Sequence, residues 1–268
     1  GPPRRSLSPS RAADFKTCPL LYRFRSIDRL PERTSIDQAR GTLVHAVLER
    51  LFDLPAAERT LERAAALVAG EWQRLTAQQP ELAALAAEDA EATAALVGSA
   101  GDLLTGYFAV EDPRRLDPAE RESLIQAQIT DELLLRGFVD RLDVSPAGDL
   151  RVVDYKTGGA PREAFEGRAM FQLKFYALVL WRTRGVVPRM LRLLYLKDAE
   201  VCDFAPDAED LANFERTLLA LDRAIERATV QRDFRPQPSR LCGWCNHQAL
   251  CPEFGGTPPP FPEPPAGA

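Results

Sequence analysis

The stretch GFVDRLDVSPAGDLRVVDYKTG, residues 137–158, constrains the fold of this chain more than any other. Two apolar-rich runs flank SPAGD, five turn-forming residues at 145–149, so the segment reads as a β-hairpin. With the loop centred on Ala147, antiparallel partners sum to 294 in residue number, pairing Val144 with Leu150 and Leu142 with Val152. Asp140 then faces Asp154. Side chains alternate faces along a strand, so Asp140, Asp154 and Lys156 share one face, and a slip of one step still leaves the last two together.

Two carboxylates set opposite each other have Cβ atoms about 5 Å apart and repel unless one is protonated or a cation sits between them. Hard oxygen ligands select Mg²⁺ or Mn²⁺, which complete their coordination with water and substrate phosphate. Lysine is scarce: of 34 cationic side chains only four are lysines. A flexible ammonium can orient a metal-bound water or stabilise charge on a phosphate, which gives Lys156 a reason to be there. The competing reading is a surface salt bridge between Lys156 and an aspartate.

Two flanking segments add to the constellation. REAFEGRAMFQLKFYALVLWRTRG reads as a helix closed by Gly185, with Gln172 and Tyr176 four apart on one face. An amide and a phenol there could reach a phosphate or the lysine. Upstream, IDQARGTLVHAVLERLF carries Leu43, Val44, Val47, Leu48, Leu51 and Phe52 as an apolar stripe at helical spacing. His45 lies at its edge, and a neutral imidazole suits a transition metal such as Mn²⁺.

The rest of the chain organises around this core. Residues 1–55 hold the segment SPSRAADFKTCPLLYRFR, a helix opened by Ser8 and Pro9 and ending near Cys18-Pro19, together with the His45 helix. Residues 56–117 are alanine-rich and predict a lobe of two or three helices. Residues 118–235 alternate strands and helices, and include a strand at RMLRLLYLKD and a long amphipathic helix at DAEDLANFERTLLALDRAIERATVQ. Such alternation predicts an α/β fold with a mixed central sheet flanked by helices. Residues 236–254 are cysteine-rich, and the tail 255–268 is too rich in proline and glycine to pack, hence disordered or extended.

A net charge of −5 and a pI near 5.3 argue against a protein that coats nucleic acid generically. The average hides an asymmetry. Asp53 to Asp102 holds nine acids against three bases, whereas Arg168 to Lys197 holds seven bases and no acid. That basic run, with Arg23 and Arg25, is a candidate phosphate guide. Phe15, Tyr22 and Phe24 are candidates for stacking bases or for the core. No apolar stretch approaches the roughly 20 residues of a bilayer span, which predicts a cytoplasmic location. Five cysteines in a reducing compartment read as thiols or metal ligands. Cys242, Cys245 and Cys251 form C-x2-C-x5-C, and Cys18 precedes a proline; four thiolates of this kind hold Zn²⁺ or an iron–sulfur cluster, and spacing alone leaves both open. Cys202 reads as a plain buried thiol.

Taken in order, SPSRAADFKTCPLLYRF, GTLVHAVLE, GFVDRLD, VVDYKTG, QLKFY and CGWCNHQALC resemble the PD-(D/E)XK nuclease superfamily, in particular its RecB-family exonuclease branch that includes Cas4 and AddB-type nucleases. The resemblance implies a metal-dependent DNA exonuclease favouring single strands. It casts His45, Asp140, Asp154 and the Tyr155 main-chain carbonyl as ligands of Mn²⁺ or Mg²⁺, Lys156 as catalytic lysine, and Gln172 and Tyr176 as its support. It also implies that Cys18, Cys242, Cys245 and Cys251 bind a [4Fe–4S] cluster. No Walker A sequence G-x-x-x-x-G-K-[ST] occurs, so no ATP-driven motor of the kind fused to some relatives is expected. Two other classes compete: a non-catalytic nucleic-acid-binding module scaffolded by a metal cluster, and a zinc-stapled interaction protein.

Overall fold

The computed structural model describes residues 5–159 and 163–263, which fall into two units, each assembled from separate parts of the chain. One comprises residues 34–126 and 137–208. Its strands are β3 (Leu133–Val144, entered from the other unit), β4 (Leu150–Lys156), β5 (Met190–Tyr195) and β6 (Glu200–Phe204), hydrogen-bonded in that order, with β2 (Glu120–Gln128) pairing β3. The sheet is mixed: β3–β4 and β5–β6 are antiparallel, β4–β5 parallel. The hairpin takes the expected register, with Val144 opposite Leu150, Leu142 opposite Val152 and Arg141 opposite Val153. Its turn is fixed locally. The Ser145 amide donates to the Asp149 carbonyl, the Asp149 amide to Ser145 Oγ, and Gly148 adopts φ +87°, where a Cβ would be strained.

A parallel β4–β5 pair needs a crossover, supplied by helix α7 (Glu163–Arg184), which ends at Gly185 with φ +70° as expected. One face of the sheet, carrying Val153, Tyr155 and Leu194, joins a core with α3 (Ile36–Leu51), α4 (Leu61–Gln78) and α6 (Ala90–Val110). Helix α3 begins with a capping box between Ser35 and Gln38, and its predicted apolar stripe is buried. The alanine-rich lobe is three helices, with α5 (Pro80–Glu88) between α4 and α6. Gly106 lets α6 lie against the chain after β5: a Cβ there would fall 1.8 Å from the Leu196 carbonyl oxygen. By length and composition α6 could cross a membrane, contrary to expectation. Its Leu96, Ala100, Leu103, Leu104 and Tyr107 are instead core residues of this unit.

The hairpin is also pinned from behind. Arg141, fully buried, makes a two-pronged ion pair with Glu111 at 2.7 Å, bonds Asp143 at 3.0 and 3.1 Å, and donates to the Tyr155 hydroxyl at 3.0 Å. A buried guanidinium is tolerable only when its donors are this well used.

The other unit comprises residues 1–33, 127–136 and 209–268. Strand β1 (Arg5–Leu7) runs parallel to Leu133–Leu135. Helix α1 (Pro9–Thr17) starts with Ser8 capping Arg11, as predicted, and stops at Cys18; α2 (Pro19–Tyr22) then continues into a π-helical turn, Arg23–Ile27, that periodicity did not announce. Helix α8 (Ala208–Gln231) contributes Asp222 and Glu226, which clasp Arg5. Phe15, Tyr22 and Phe234 form an aromatic cluster, on which Phe261 of the proline-rich tail stacks with centroids 6.0 Å from Phe234. The tail therefore packs at Phe261, against the expectation that it would not; residues 264–268 lie outside the described residues.

Candidate active site

Strand β4 turns Asp154 and Lys156 toward α7, and β3 brings in Asp140. The ladder between β3 and β4 ends at Arg141–Val153. One step further, Asp140 uses its side chain: Oδ2 accepts the Tyr155 amide at 2.8 Å. The N–H and C=O of a strand residue point to the same side, so the Tyr155 carbonyl also faces the Asp140 edge, where β3 offers it no ladder partner.

His45 reaches the same carboxylate from α3. Its Nδ1 donates to the Gly41 carbonyl at 2.8 Å, and Nε2 lies 3.1 Å from Asp140 Oδ2. Both contacts as donors require the imidazolium. Burial disfavours that charge, but Asp140, the Gly41 carbonyl and Asp154 outweigh it and raise the His45 pKa to about 9. For Asp140, burial favours protonation, yet the hydrogen bonds from His45 and Tyr155 and the charge of Lys156 hold its carboxyl below the usual carboxylate range.

Asp154 goes the opposite way. It is 3% exposed. Burial and the charge of Asp140 push its pKa up to about 7, against the opposing pull of Lys156 and His45. Lys156 Nζ lies 2.7 Å from Asp154 Oδ2 and donates to Gln172 Oε1 at 2.8 Å; Gln172 Nε2 in turn donates to the Tyr176 hydroxyl at 2.9 Å. Burial keeps the Tyr176 phenol protonated. Lys156 and Asp154 thus do form an ion pair, but with a carboxylate removed from solvent, unlike the surface salt bridge that was the alternative.

One acid carries no signal in the sequence pattern. Glu122 on β2 has φ +43°, and the strand pairing explains why: the Ala119 amide bonds the Leu142 carbonyl, while the Ile129 amide bonds the Leu133 carbonyl. Ten steps on β2 therefore match nine on β3, the signature of a β-bulge, which re-aims a side chain. Burial, together with Asp140, Glu49 and Asp154, pushes the Glu122 carboxyl up to about 7. Periodicity could not find it, because a bulge breaks the period. Glu122 and His45 line a cleft of about 830 Å³ together with Glu49, Gln78, Phe138 and Thr157.

Among the described residues, no three His, Cys, Asp or Glu side chains close tightly enough on one point to hold a metal. His45 Nε2 and Asp140 Oδ2, 3.1 Å apart, contact each other directly. The donors nevertheless suit Mn²⁺ or Mg²⁺: one imidazole nitrogen fixed by its other nitrogen, two carboxylates whose mutual repulsion a cation would relieve, and a main-chain carbonyl.

A family model of the PD-(D/E)XK nuclease superfamily matches residues 6–252. The chain belongs to this superfamily. Gene 69 protein of Mycobacterium phage L5 is 32% identical over 127 residues, which is 46% of this chain and 41% of that protein, so the chain matches less than half of the relative's length. Among solved structures, a candidate exonuclease from Eubacterium rectale superposes with a TM-score of 0.55 at 10% identity, covering 90% of this chain and 87% of that one, a likeness of fold.

The basic run predicted as a phosphate guide is largely spoken for. Arg184 pairs with Glu120, Arg189 with Asp149 and Arg192 with Asp203, while Arg182 lies over Trp181 and Lys174 over Phe204. In the other unit Arg23 pairs with Asp28, Arg25 with Asp14 and Glu32, and Phe15 and Phe24 are buried. These aromatics belong to the core. That unit also gathers Cys18, Cys242, Cys245 and Cys251 around one small cavity of about 50 Å³. The Gln237 amide donates to Cys18 Sγ at 3.4 Å and the Ser239 amide to Cys242 Sγ at 3.3 Å. Burial raises the Cys245 pKa, and Cys18 and Cys242 add to the rise, as near neighbours must. Cys202 sits apart on β6 and is half-buried rather than buried.

Proposed function

We propose that this chain is a metal-dependent DNA nuclease of the RecB-family type, an exonuclease favouring single-stranded DNA, acting in DNA repair, recombination or processing. The observation that carries the reading is the joining of Asp140, Asp154 and Lys156 with His45 on one side and Gln172–Tyr176 on the other, within one unit. When bound, Mn²⁺ or Mg²⁺ would supply a Lewis acid for the phosphate and an activated water for attack on phosphorus. His45 Nε2, Asp140, Asp154 and the Tyr155 carbonyl would hold it. Lys156 is aimed by its two partners, so that its ammonium meets the negative charge growing on the phosphate oxygens. Tyr176 anchors Gln172, and Gln172 fixes the rotamer of Lys156.

Cys18, Cys242, Cys245 and Cys251 would hold a [4Fe–4S] cluster. What supports the reading is that the four cysteines line one cavity and that main-chain amides donate to two of the sulfurs, although among the described residues no three of the thiols converge on one point as they stand. Its role would be structural, since the ligands come from the two ends of the chain. A reducing, cytoplasmic setting suits these thiolates.

The test is cleavage of end-labelled single- and double-stranded DNA titrated with Mn²⁺ and Mg²⁺. Metal-dependent shortening from one end, faster on single strands, is the expected result. Binding without cleavage at any metal concentration would favour the non-catalytic module.

A further inference from the structure

Phe138 is out of place. It lies on β3 two residues before Asp140, hence on the same face and about 7 Å along the strand. It is 56% exposed, while Val139 beside it on the other face is fully buried. Its ring lines the cleft shared with His45 and Glu122, whose other lining residues are mostly polar or charged by type although they present much of their apolar surface to it. A phenyl group more than half open to water forgoes most of the gain of burial. A single exposed apolar residue is ordinary on a surface; one that lines a cleft shared with His45 and lies two residues from Asp140 is placed to meet a flat, apolar face.

Resting on the nuclease reading above, we infer that Phe138 is a stacking residue that seats an unpaired nucleobase one nucleotide from the phosphate held at Asp140, Asp154 and Lys156. Every base offers a π-face, so stacking of this kind is tolerant of sequence. It is selective for structure, because within a duplex both faces of each base are already stacked and exposing one must first disrupt the helix. A single ring thereby gives the cleft a preference for unpaired strands without reading any base. Gln78, at the end of α4 and in the same cleft, has amide groups to offer a sugar or base edge, so the helical lobe forms a wall of the substrate path.

The experiment compares wild type, Phe138→Ala and Phe138→Tyr on two probes, a thymidine oligonucleotide and an oligonucleotide of equal length whose sugars carry no bases. KM and kcat are measured with Mn²⁺, and quenching of a 2-aminopurine base is followed in EDTA. Base stacking predicts that alanine raises KM on the thymidine probe by about tenfold or more, leaves KM on the baseless probe unchanged, and abolishes the quenching, while tyrosine restores both the low KM and the quenching. Equal effects on both probes, or quenching unchanged by alanine, would overturn the inference. Quenching that depends on Phe138 in a protein that cleaves nothing would keep the stacking site and remove the nuclease reading instead. A matched melting curve for Phe138→Ala checks that the fold is intact.

Discussion

Replacing Asp154 by asparagine should stabilise the metal-free protein at neutral and alkaline pH. The folded carboxyl has a pKa of about 7 against an ordinary 3.8, because it is buried and faces Asp140. A tenfold change in proton affinity corresponds to about 1.4 kcal/mol, so ionising Asp154 in the folded protein costs of order 4 kcal/mol. The folded state retains a proton that the unfolded chain has already released, so stability falls as pH rises from about 4 to about 7 and stays low above that. Asparagine, near in shape, carries no such proton. Of the full penalty, about 3 kcal/mol develops between pH 5 and pH 8. Urea unfolding in EDTA at those two pH values, for wild type and Asp154→Asn, measures it directly: the variant should gain on the wild type by about that amount at the higher pH. Saturating Mn²⁺ should then stabilise the wild type and leave the variant nearly unmoved. Parallel pH profiles, or a variant less stable than wild type at pH 8 without metal, would mean that Asp154 and Lys156 form a net-stabilising ion pair and that the repulsion argument is wrong.

Three further outcomes follow from the same geometry. His45→Ala removes the nitrogen donor, so cleavage should fall by about 100-fold or more, recover in part at high Mn²⁺, and lose more of its Mn²⁺ than its Mg²⁺ activity; a lowered melting temperature with unchanged metal dependence would place His45 in the core instead. Anaerobically purified protein should be brown and lose that colour in Cys242→Ser and Cys18→Ser, and colourless protein with stoichiometric zinc would replace the cluster by a zinc site. Gly106→Ala puts a Cβ into the Leu196 carbonyl, and urea unfolding should show a loss of about 3 kcal/mol; a loss below about 1 kcal/mol would mean that α6 shifts freely on the sheet.

The hairpin was legible because its constraints are local. Five turn residues set the register, the register sets the faces, and the faces bring Asp140, Asp154 and Lys156 to one side. Gln172 and Tyr176 followed from helical spacing, and Gly185 marked the end of α7 correctly. What stayed hidden depends on partners distant in sequence. Nothing near Arg184 announces Glu120, 64 residues away, so the run of seven bases gave no sign that Arg184, Arg189 and Arg192 are held in ion pairs. Arg141 sits among strand residues with no local hint that Glu111 and Tyr155 will bury it. Glu122 was hidden by the bulge that delivers it. In the tail, proline content spoke against packing, and a single phenylalanine finding Phe234 was enough to reverse that.

The central claim is that Asp154 and Lys156 act on a phosphodiester through a bound divalent ion. Its most direct measurement is cleavage of an end-labelled single-stranded oligonucleotide by wild type, Asp154→Asn and Lys156→Met, each with Mn²⁺ and with EDTA, beside circular dichroism of all three. The account predicts metal-dependent cleavage by the wild type, a loss of about 100-fold or more in both variants, and unchanged folding. Wild-type cleavage rates in either variant, or cleavage that persists in EDTA, would contradict it.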